Sequence, residues 1–221
     1  MARSLKLGVL ISGSGSNLQS IIDNIEKGAL QATIKIVVCN KPDALGITRA
    51  QKHGLPVAVL KHKDFKTRED FDAELIRILK KSEVDLVALA GFMRILTPSF
   101  LKAFPQKVIN IHPALLPSFP GTSGQKDAFE YGVKFSGCTV HFVDEGVDSG
   151  PIIIQSVVPV FQSDTKETLA ARILKEEHRI YPRAIQFFAE GKIEIAGRRV
   201  RIKDVEEAPL TVLHNPSVTG F

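Results

Sequence analysis

The chain has 221 residues, of which 44% are apolar, 24% charged and 7% aromatic, a balance typical of globular proteins that excludes a fibrous or low-complexity chain. The formal net charge of +5 favours anionic small molecules as partners, and no nucleic acid is expected because the basic residues are scattered and not interleaved with aromatic ones. No apolar run reaches the roughly 18 residues of a membrane span and no signal peptide is evident, so we expect a cytoplasmic protein without membrane contact.

Apolar runs rich in β-branched residues alternate with segments of helical periodicity along the first half of the chain. The predicted strands are residues 7–12, 34–40, 56–61, 84–91 and 108–112. The predicted helices are residues 17–27, 44–53 and 67–81, and a further short helix begins at Thr97-Pro98. This βαβα order predicts an α/β fold with a doubly wound, mostly parallel sheet.

After residue 112 the pattern changes. Residues 113–124 contain three prolines and two glycines and predict a loop, whereas residues 135–143 and 151–160 predict two strands that extend the sheet with mixed direction. Residues 165–190 predict a long helix in which Pro182 forces a kink or a break, and residues 192–202 predict a small hairpin. Residues 204–221 look irregular. We therefore expect a single domain over residues 1–203 and an irregular C-terminal tail.

The turn after the first predicted strand reads Gly13-Ser14-Gly15-Ser16-Asn17. Glycines let the backbone turn tightly and approach a ligand, while the start of a helix offers free N–H groups and the positive end of its dipole. This turn therefore predicts a phosphate subsite. Its spacing differs from that of a dinucleotide-binding turn, and the Gly-Lys-Ser/Thr of a nucleoside triphosphate loop is lacking. A purely structural turn between strand and helix is the alternative.

Asn110 and His112 stand at the carboxyl end of the fifth predicted strand, where α/β sheets place ligands. Strand alternation turns both to the same side, so that the amide can donate to an oxyanion while the imidazole handles a proton. A structural histidine is the alternative, which the neighbouring asparagine disfavours. Asp148, in an acidic turn further along, is the predicted third member because a carboxylate favours imidazolium. Asp144 and Glu145 fit a solvated turn equally well.

No metal site competes with this interpretation. The six histidines lie apart in sequence and neither His-x-x-x-His nor Cys-x-x-Cys occurs, so we expect no metal. Cys39 and Cys138 lie in apolar runs and are expected to be reduced core residues. The chain also lacks the Gly-x-Ser-x-Gly turn of a serine nucleophile.

The run Asn110-Ile111-His112-Pro113-Ala114-Leu115-Leu116-Pro117, with His141 and Asp148 after it, resembles the core of the formyltetrahydrofolate-dependent formyltransferases. Similarity extends over roughly residues 5–200 and is greatest to the glycinamide ribonucleotide branch. The tRNA-modifying branch has an extra C-terminal domain and lacks the Gly-Ser-Gly-Ser-Asn turn, and the deformylase branch has an N-terminal regulatory domain.

The resemblance implies a Rossmann-like formyltransferase fold, 10-formyltetrahydrofolate as co-substrate and phosphoribosylglycinamide as formyl acceptor in de novo purine biosynthesis. The amine would attack the formyl carbon directly through a tetrahedral intermediate, with neither a metal nor a covalent enzyme intermediate. A formyltetrahydrofolate deformylase, which is a hydrolase, stays open as an alternative. A non-catalytic module that binds a phosphorylated ligand stays open too, although it leaves the predicted catalytic residues unexplained.

The resemblance also implies roles for individual residues. The catalytic group would be Asn110, His112 and Asp148, supported by His141. The acceptor substrate would contact Gly15, Ser16 and Asn17 through its phosphate, Glu177 through its ribose hydroxyls, and Lys175. The folate would contact Arg68, Met93, Arg94, Ile95, Leu96, Val143, Asp144, Glu145, Gly146 and Val147, and residues 144–148 would close over the pterin.

Two segments depart from the family pattern. Leu174 stands where relatives usually offer a polar side chain to the substrate, and adjacent Lys175 is expected to replace it. Thr122-Ser123-Gly124-Gln125 replaces a segment that often carries histidines in relatives, which puts the contacts from this loop in doubt but leaves the chemistry unchanged.

Overall fold

A computed structural model describes residues 4–205 and Asn215. Its strands are β1 (Leu5–Ile11), β2 (Ala32–Cys39), β3 (Val57–Val59), β4 (Leu86–Leu89), β5 (Val108–His112), β6 (Phe135–Phe142), β7 (Ile152–Pro159), β8 (Ile193–Ala196) and β9 (Arg199–Ile202). Its α-helices are α1 (Ser16–Glu26), α2 (Leu45–Lys52), α3 (Arg68–Lys81), α4 (Pro98–Ala103), α5 (Gly124–Tyr131) and α6 (Lys166–Ala189), with a 3-10 turn at His62–Asp64. The tail predicted to be irregular lies outside the described residues except for Asp204, Val205 and Asn215.

The nine strands form one sheet in the order β3-β2-β1-β4-β5-β6-β7-β9-β8. Strands β1 to β5 are parallel to one another, whereas β6 runs antiparallel to both β5 and β7. The prediction of a doubly wound, mostly parallel mixed sheet is confirmed. In the antiparallel register of β5 and β6, Asn110 lies opposite His141 and His112 lies opposite Thr139, which sets up the site described below.

Two hydrophobic cores cover the two faces of the sheet. Alternate residues of β1 face opposite cores: Val9 is buried with the residues of α1, α2 and α6, and Leu10 with those of α3 and α4. This two-sided burial explains why the sequence of the central strands is continuously apolar rather than alternating. No helix that the structure describes is long and apolar enough to cross a bilayer.

Local capping agrees with the sequence. The hydroxyl of Thr67 accepts a hydrogen bond from the backbone N–H of Asp70 at the start of α3, and Thr97 caps α4 with Pro98 in its first turn. Gly28 and Gly54 follow α1 and α2 with positive φ values, as the predicted helix ends require.

Two expectations about the second half of the chain need correction. Of the kink or break predicted at Pro182, the break is wrong, because α6 is continuous from Lys166 to Ala189. Pro182 removes one helical hydrogen bond, but it lies on the buried face of α6 with Tyr181 and Ile185, and tertiary packing of that face holds the helix together. Helix α5 was not predicted, since it is short and directly follows a loop rich in proline and glycine.

Candidate active site

A cavity of about 400 Å³ opens at the carboxyl ends of β4 and β5. Its lining contains most of the side chains that the sequence analysis assigned to catalysis and to folate binding: Met93, Arg94, Ile95, Leu96, Asn110, His112, His141, Val143, Asp144, Gly146, Val147 and Asp148. Parallel strands end at a common edge of the sheet, so residues distant in sequence meet there.

Asn110 and His141 are opposite each other in the antiparallel register of β5 and β6. The Nδ2 of Asn110 lies 3.2 Å from the Nε2 of His141, and the Nδ1 of His141 donates to the carbonyl of Phe142 at 2.8 Å. With Nδ1 as the donor, Nε2 of a neutral ring is an acceptor, and it receives one N–H of the Asn110 amide. Burial lowers the pKa of His141, against the hydrogen bond to Phe142 and the charge of Asp148, which favours this neutral form.

His112 is 3% exposed and both of its ring nitrogens face oxygen acceptors. Nδ1 lies 3.3 Å from the Oδ2 of Asp148, and Nε2 donates to the carbonyl of Phe119 at 2.8 Å. The two ring nitrogens of His112 thus face a carboxylate and a backbone carbonyl, whereas those of His141 face an amide and a backbone carbonyl.

Asp148 joins three segments of the site. Its Oδ2 accepts a hydrogen bond from the backbone N–H of Gly121 at 2.7 Å, and its Oδ1 lies 3.7 Å from the Nε2 of His141. The backbone at Asp148 has a φ of 49°, in the left-handed region that residues other than glycine seldom adopt. Strain of this kind persists where the surrounding structure over-determines a position, as at catalytic sites.

The loop after His112 is held by polar side chains inside the sheet. Thr139 donates to the carbonyl of Ala114 at 2.7 Å and accepts from the N–H of Leu116 at 3.1 Å, and Gln155 donates to the carbonyl of Leu116 at 2.9 Å. These supports were missed in the sequence. A fully buried threonine in the middle of an apolar strand is the pattern that indicates them.

Gly124 explains part of the departure noted at residues 122–125. A Cβ atom at this position would lie 3.1 Å from the Nε2 of His112 and 3.0 Å from the carbonyl oxygen of Phe119. Both contacts are tighter than ordinary van der Waals packing, so the absence of a side chain lets α5 begin directly beside the His112 ring.

The turn between β1 and α1 forms a cradle of backbone groups, which we call the phosphate cradle (residues 13–17). Gly15 is the N-cap of α1 with a φ of 71°, and a Cβ on it would lie 2.6 Å from the Cα of Gly46. The carbonyls of Gly13 and Ser14 are occupied by donors from α2, the N–H of Gly46 and the Nε of Arg49. The N–H groups of the first turn of α1 have no intrahelical acceptor and are left for an anion.

Asn17 and Glu177 meet beside the phosphate cradle although 160 positions separate them in sequence. The Nδ2 of Asn17 donates to the Oε2 of Glu177 at 2.7 Å, and the Oδ1 of Asn17 is buried with no partner among the described residues. Burial raises the pKa of Glu177, and the hydrogen bond from Asn17 partly offsets this rise. The pair places a buried carboxylate next to the cradle, where ribose hydroxyl groups could donate to it.

The loop after β4 lines the outer part of the cavity. Met93 and Ile95 are 56% and 58% exposed, whereas Leu96 is buried. The guanidinium of Arg94 lies 4.2 Å from the centre of the Phe71 ring. Exposed apolar side chains beside an open cavity are typical of a surface that a flat, partly apolar ligand covers.

Comparison with known proteins decides the family. The formyl transferase family matches residues 5–185. The chain belongs to the formyl transferase family. It is 42% identical over 191 residues to phosphoribosylglycinamide formyltransferase of Escherichia coli (strain K12), covering 86% of this chain and 90% of that protein. It is similar in structure to glycinamide ribonucleotide transformylase 1 from Symbiobacterium toebii, with a TM-score of 0.89 and 51% identity over 90% of this chain and 94% of that one.

Longer proteins are among the relatives. The chain is 50% identical over 191 residues to the trifunctional purine biosynthetic protein adenosine-3 of Drosophila melanogaster. These residues make up 86% of this chain but only 14% of the length of that relative. The resemblance to the glycinamide ribonucleotide branch of the formyl transferase family, predicted from the sequence, is confirmed by these comparisons.

Besides the residues at the phosphate cradle, three residues with predicted contacts lie outside the lining of the cavity of this formyl transferase. Glu145 is exposed and absent from the lining, while Asp144 in the same turn accepts hydrogen bonds from Ser149 and from the N–H of Gly146. Arg68 is exposed and donates to the carbonyl of Ile95 at 3.0 Å, so it holds the folate-side loop. Lys175 is exposed, and two positions along a helix do not share a face, so it points away from Glu177.

Proposed function

We propose that this formyl transferase transfers the formyl group of 10-formyltetrahydrofolate to the amine of phosphoribosylglycinamide. The observation that carries the proposal is that the phosphate cradle and the cluster of Asn110, His112 and Asp148 lie at the same edge of one sheet. The cradle follows β1 and the cluster follows β5, with β4 between them. Two strand spacings amount to about 9–10 Å, a distance that a phosphorylated ribose can span.

The acceptor substrate fits the polar side of this edge. Its phosphate would accept hydrogen bonds from the N–H groups of Gly15, Ser16 and Asn17 at the positive end of α1. Its ribose hydroxyls would donate to Glu177, whose carboxylate Asn17 holds in place. The amine at the other end of the molecule would then reach toward Asn110.

The formyl donor fits the apolar side. Met93, Ile95 and Val147 offer exposed apolar surface around the cavity, and backbone groups of residues 91–96 can receive the polar edge of a pterin. The cavity of about 400 Å³ lies within the range of small-molecule sites. Asn110, His112 and Asp148 line the same cavity as these apolar side chains.

In the proposed reaction the acceptor amine bonds to the formyl carbon, the bond from that carbon to folate N10 breaks, and one proton passes from the amine to N10. The free N–H of the Asn110 amide donates to the formyl oxygen as charge develops on it, and loss of one such donor typically costs about 2.7–4 kcal/mol. The Nε2 of His112 can add a second donor when it exchanges the Phe119 carbonyl for that oxygen. Asp148, 3.3 Å from the Nδ1 of His112, relays the proton, which contributes on the order of 10²–10⁴-fold.

A formyl-transfer assay with the purified protein tests the proposal. With 10-formyltetrahydrofolate and phosphoribosylglycinamide together, formylated glycinamide ribonucleotide and tetrahydrofolate should form in equal amounts. Without the acceptor, little formate should appear. Formate release at the same rate in both reactions would identify a hydrolase instead, and stabilisation of the protein by either compound without turnover would identify a binding module.

A further inference from the structure

Ser12 stands between the two substrate subsites without lining the cavity. It follows β1 directly, is 3% exposed, and precedes the phosphate cradle by one residue. Its backbone N–H donates to the carbonyl of Gly91 at 3.1 Å, and its Oγ accepts a hydrogen bond from the backbone N–H of Met93 at 2.9 Å. Two hydrogen bonds therefore tie the start of the cradle to the loop that lines the folate side of the cavity.

Other contacts hold the same loop from the opposite side. Arg68 of α3 donates to the carbonyl of Ile95 at 3.0 Å, and the carboxylate of Asp72 accepts from the N–H of Thr97 at 2.7 Å. Both anchors come from α3, which packs on the face of the sheet opposite to that covered by α1. The hydroxyl of Ser12 is thus placed to fix the loop relative to the acceptor subsite, and the α3 anchors fix it relative to the core.

We propose that Ser12 is a positioning residue that sets the distance and orientation between the bound formyl donor and the bound acceptor. This inference rests on the proposed function and adds a residue to it that touches neither substrate. Loss of the hydroxyl would leave the N–H of Met93 without its acceptor and allow the loop after β4 to shift. A displacement of about 1 Å between reacting groups can lower the rate on the order of 10²-fold, so even a small shift is measurable.

The test compares Ser12→Ala with a matched control. Ser136 on β6 is also 3% exposed, but its hydroxyl has no partner among the described residues, so Ser136→Ala removes an equivalent buried hydroxyl without breaking a bond to the site. Measurements are kcat, the dissociation constant of each substrate alone, and the thermal midpoint. We expect kcat of Ser12→Ala to fall about 10- to 100-fold while each separate dissociation constant changes by less than about 3-fold. Ser136→Ala should keep the wild-type kcat.

A lower kcat with unchanged dissociation constants distinguishes a positioning role of Ser12 from a purely structural one. Unchanged kcat in folded Ser12→Ala overturns the inference, with or without a rise in KM, and so does a dissociation constant of either substrate that rises by as large a factor as kcat falls. If Ser12→Ala does not fold, Ser12→Cys is measured instead, because a thiol is a poor hydrogen-bond acceptor. A kcat lower than that of the wild type then supports the inference, and a wild-type kcat overturns it. The wild-type protein is assayed in parallel, because its own failure to transfer formyl groups would overturn the proposed function instead.

Discussion

The phosphate cradle and the catalytic cluster are built in opposite ways. The cradle consists of five consecutive residues and uses backbone N–H groups, so its geometry depends on one turn and on the start of α1. The catalytic cluster uses side chains from β5, from β6 and from the turn at Asp148, and its geometry depends on how these segments pair. A backbone site can therefore be predicted locally, whereas a side-chain site needs the register of the sheet.

The two regions also differ in how they tolerate strained backbone. Gly15 and Asp148 have φ values of 71° and 49°. Glycine adopts this region freely, but a residue with a side chain pays about 1–2 kcal/mol there. The cradle avoids the strain because Gly15 has no side chain, while the cluster has it at Asp148, whose carboxylate the proposed mechanism uses. The comparison predicts where substitutions should affect chemistry and where they should affect the fold.

The largest effect is expected from the catalytic cluster. Asp148→Asn keeps an acceptor for the N–H of Gly121 and a residue that tolerates left-handed backbone, but it removes the charge facing His112. Turnover should fall on the order of 100-fold or more, with the free energy of unfolding within about 1 kcal/mol of wild type. Steady-state kinetics and urea unfolding measure both quantities. Near-normal turnover in this variant would show that the charge has no catalytic part.

Asn110→Ala should have a comparable effect through a different contact. It removes the donor to the formyl oxygen and leaves the Nε2 of His141 without its partner. We expect kcat to fall on the order of 10²–10³-fold, with little change in the affinity for either substrate. Steady-state kinetics measures kcat, and equilibrium binding measures the affinity for each substrate. Weaker substrate binding with unchanged kcat would assign Asn110 to binding rather than to catalysis.

Glu177→Gln tests the acceptor side. The amide keeps the shape but weakens hydrogen bonds from ribose hydroxyls, so KM for phosphoribosylglycinamide should rise on the order of 10-fold while kcat changes less. Because burial raises the pKa of Glu177, the ionised carboxylate opposes folding at neutral pH, and the variant should be as stable as wild type or more so. An unchanged KM would remove Glu177 from the acceptor subsite.

Gly15→Ala, compared with Gly13→Ala, tests whether the fold of the cradle requires glycine at position 15. Gly15 combines positive φ with a backbone atom 2.6 Å from an added Cβ, so alanine should destabilise the protein by about 2 kcal/mol or more. Gly13→Ala is the control, because an added Cβ there meets nothing within 4 Å. Thermal and urea unfolding of both variants check the difference. Equal stability of the two would mean that the close approach to Gly46 is not required.

The smallest expected effect is the pH dependence that His141 gives to stability. Burial lowers the folded-state pKa of this ring, so the unfolded chain binds its proton more readily. Stability should therefore fall as pH drops below about 6.5, with a slope of at most about 1.4 kcal/mol per pH unit. His141→Gln should reduce this slope. Part of the slope should remain, because burial also lowers the pKa of His178. Urea midpoints from pH 5 to 8 measure the slope, and equal slopes in both proteins would contradict the assignment.

Much of the architecture followed from local patterns. The apolar runs predicted the central parallel strands, Thr67 and Thr97 marked the starts of two helices, and the glycine turn predicted the phosphate cradle. These features act over one strand or one helical turn, so neighbouring residues are sufficient to specify them. The continuity of α6 through Pro182 was mispredicted, since burial of its face over many turns outweighs the lost local hydrogen bond.

The sequence by itself determined most of the order of elements, apart from α5, together with the position of the cradle and the identity of Asn110, His112 and Asp148 as residues suited to acyl chemistry. Only the tertiary structure decided that Asn110 pairs with His141, that Asp148 reaches the Nδ1 of His112, and that Asn17 meets Glu177. Periodicity shows which side of a strand or helix a residue occupies, but the partner that it meets there is set by strand register and helix packing, which couple residues far apart in the chain.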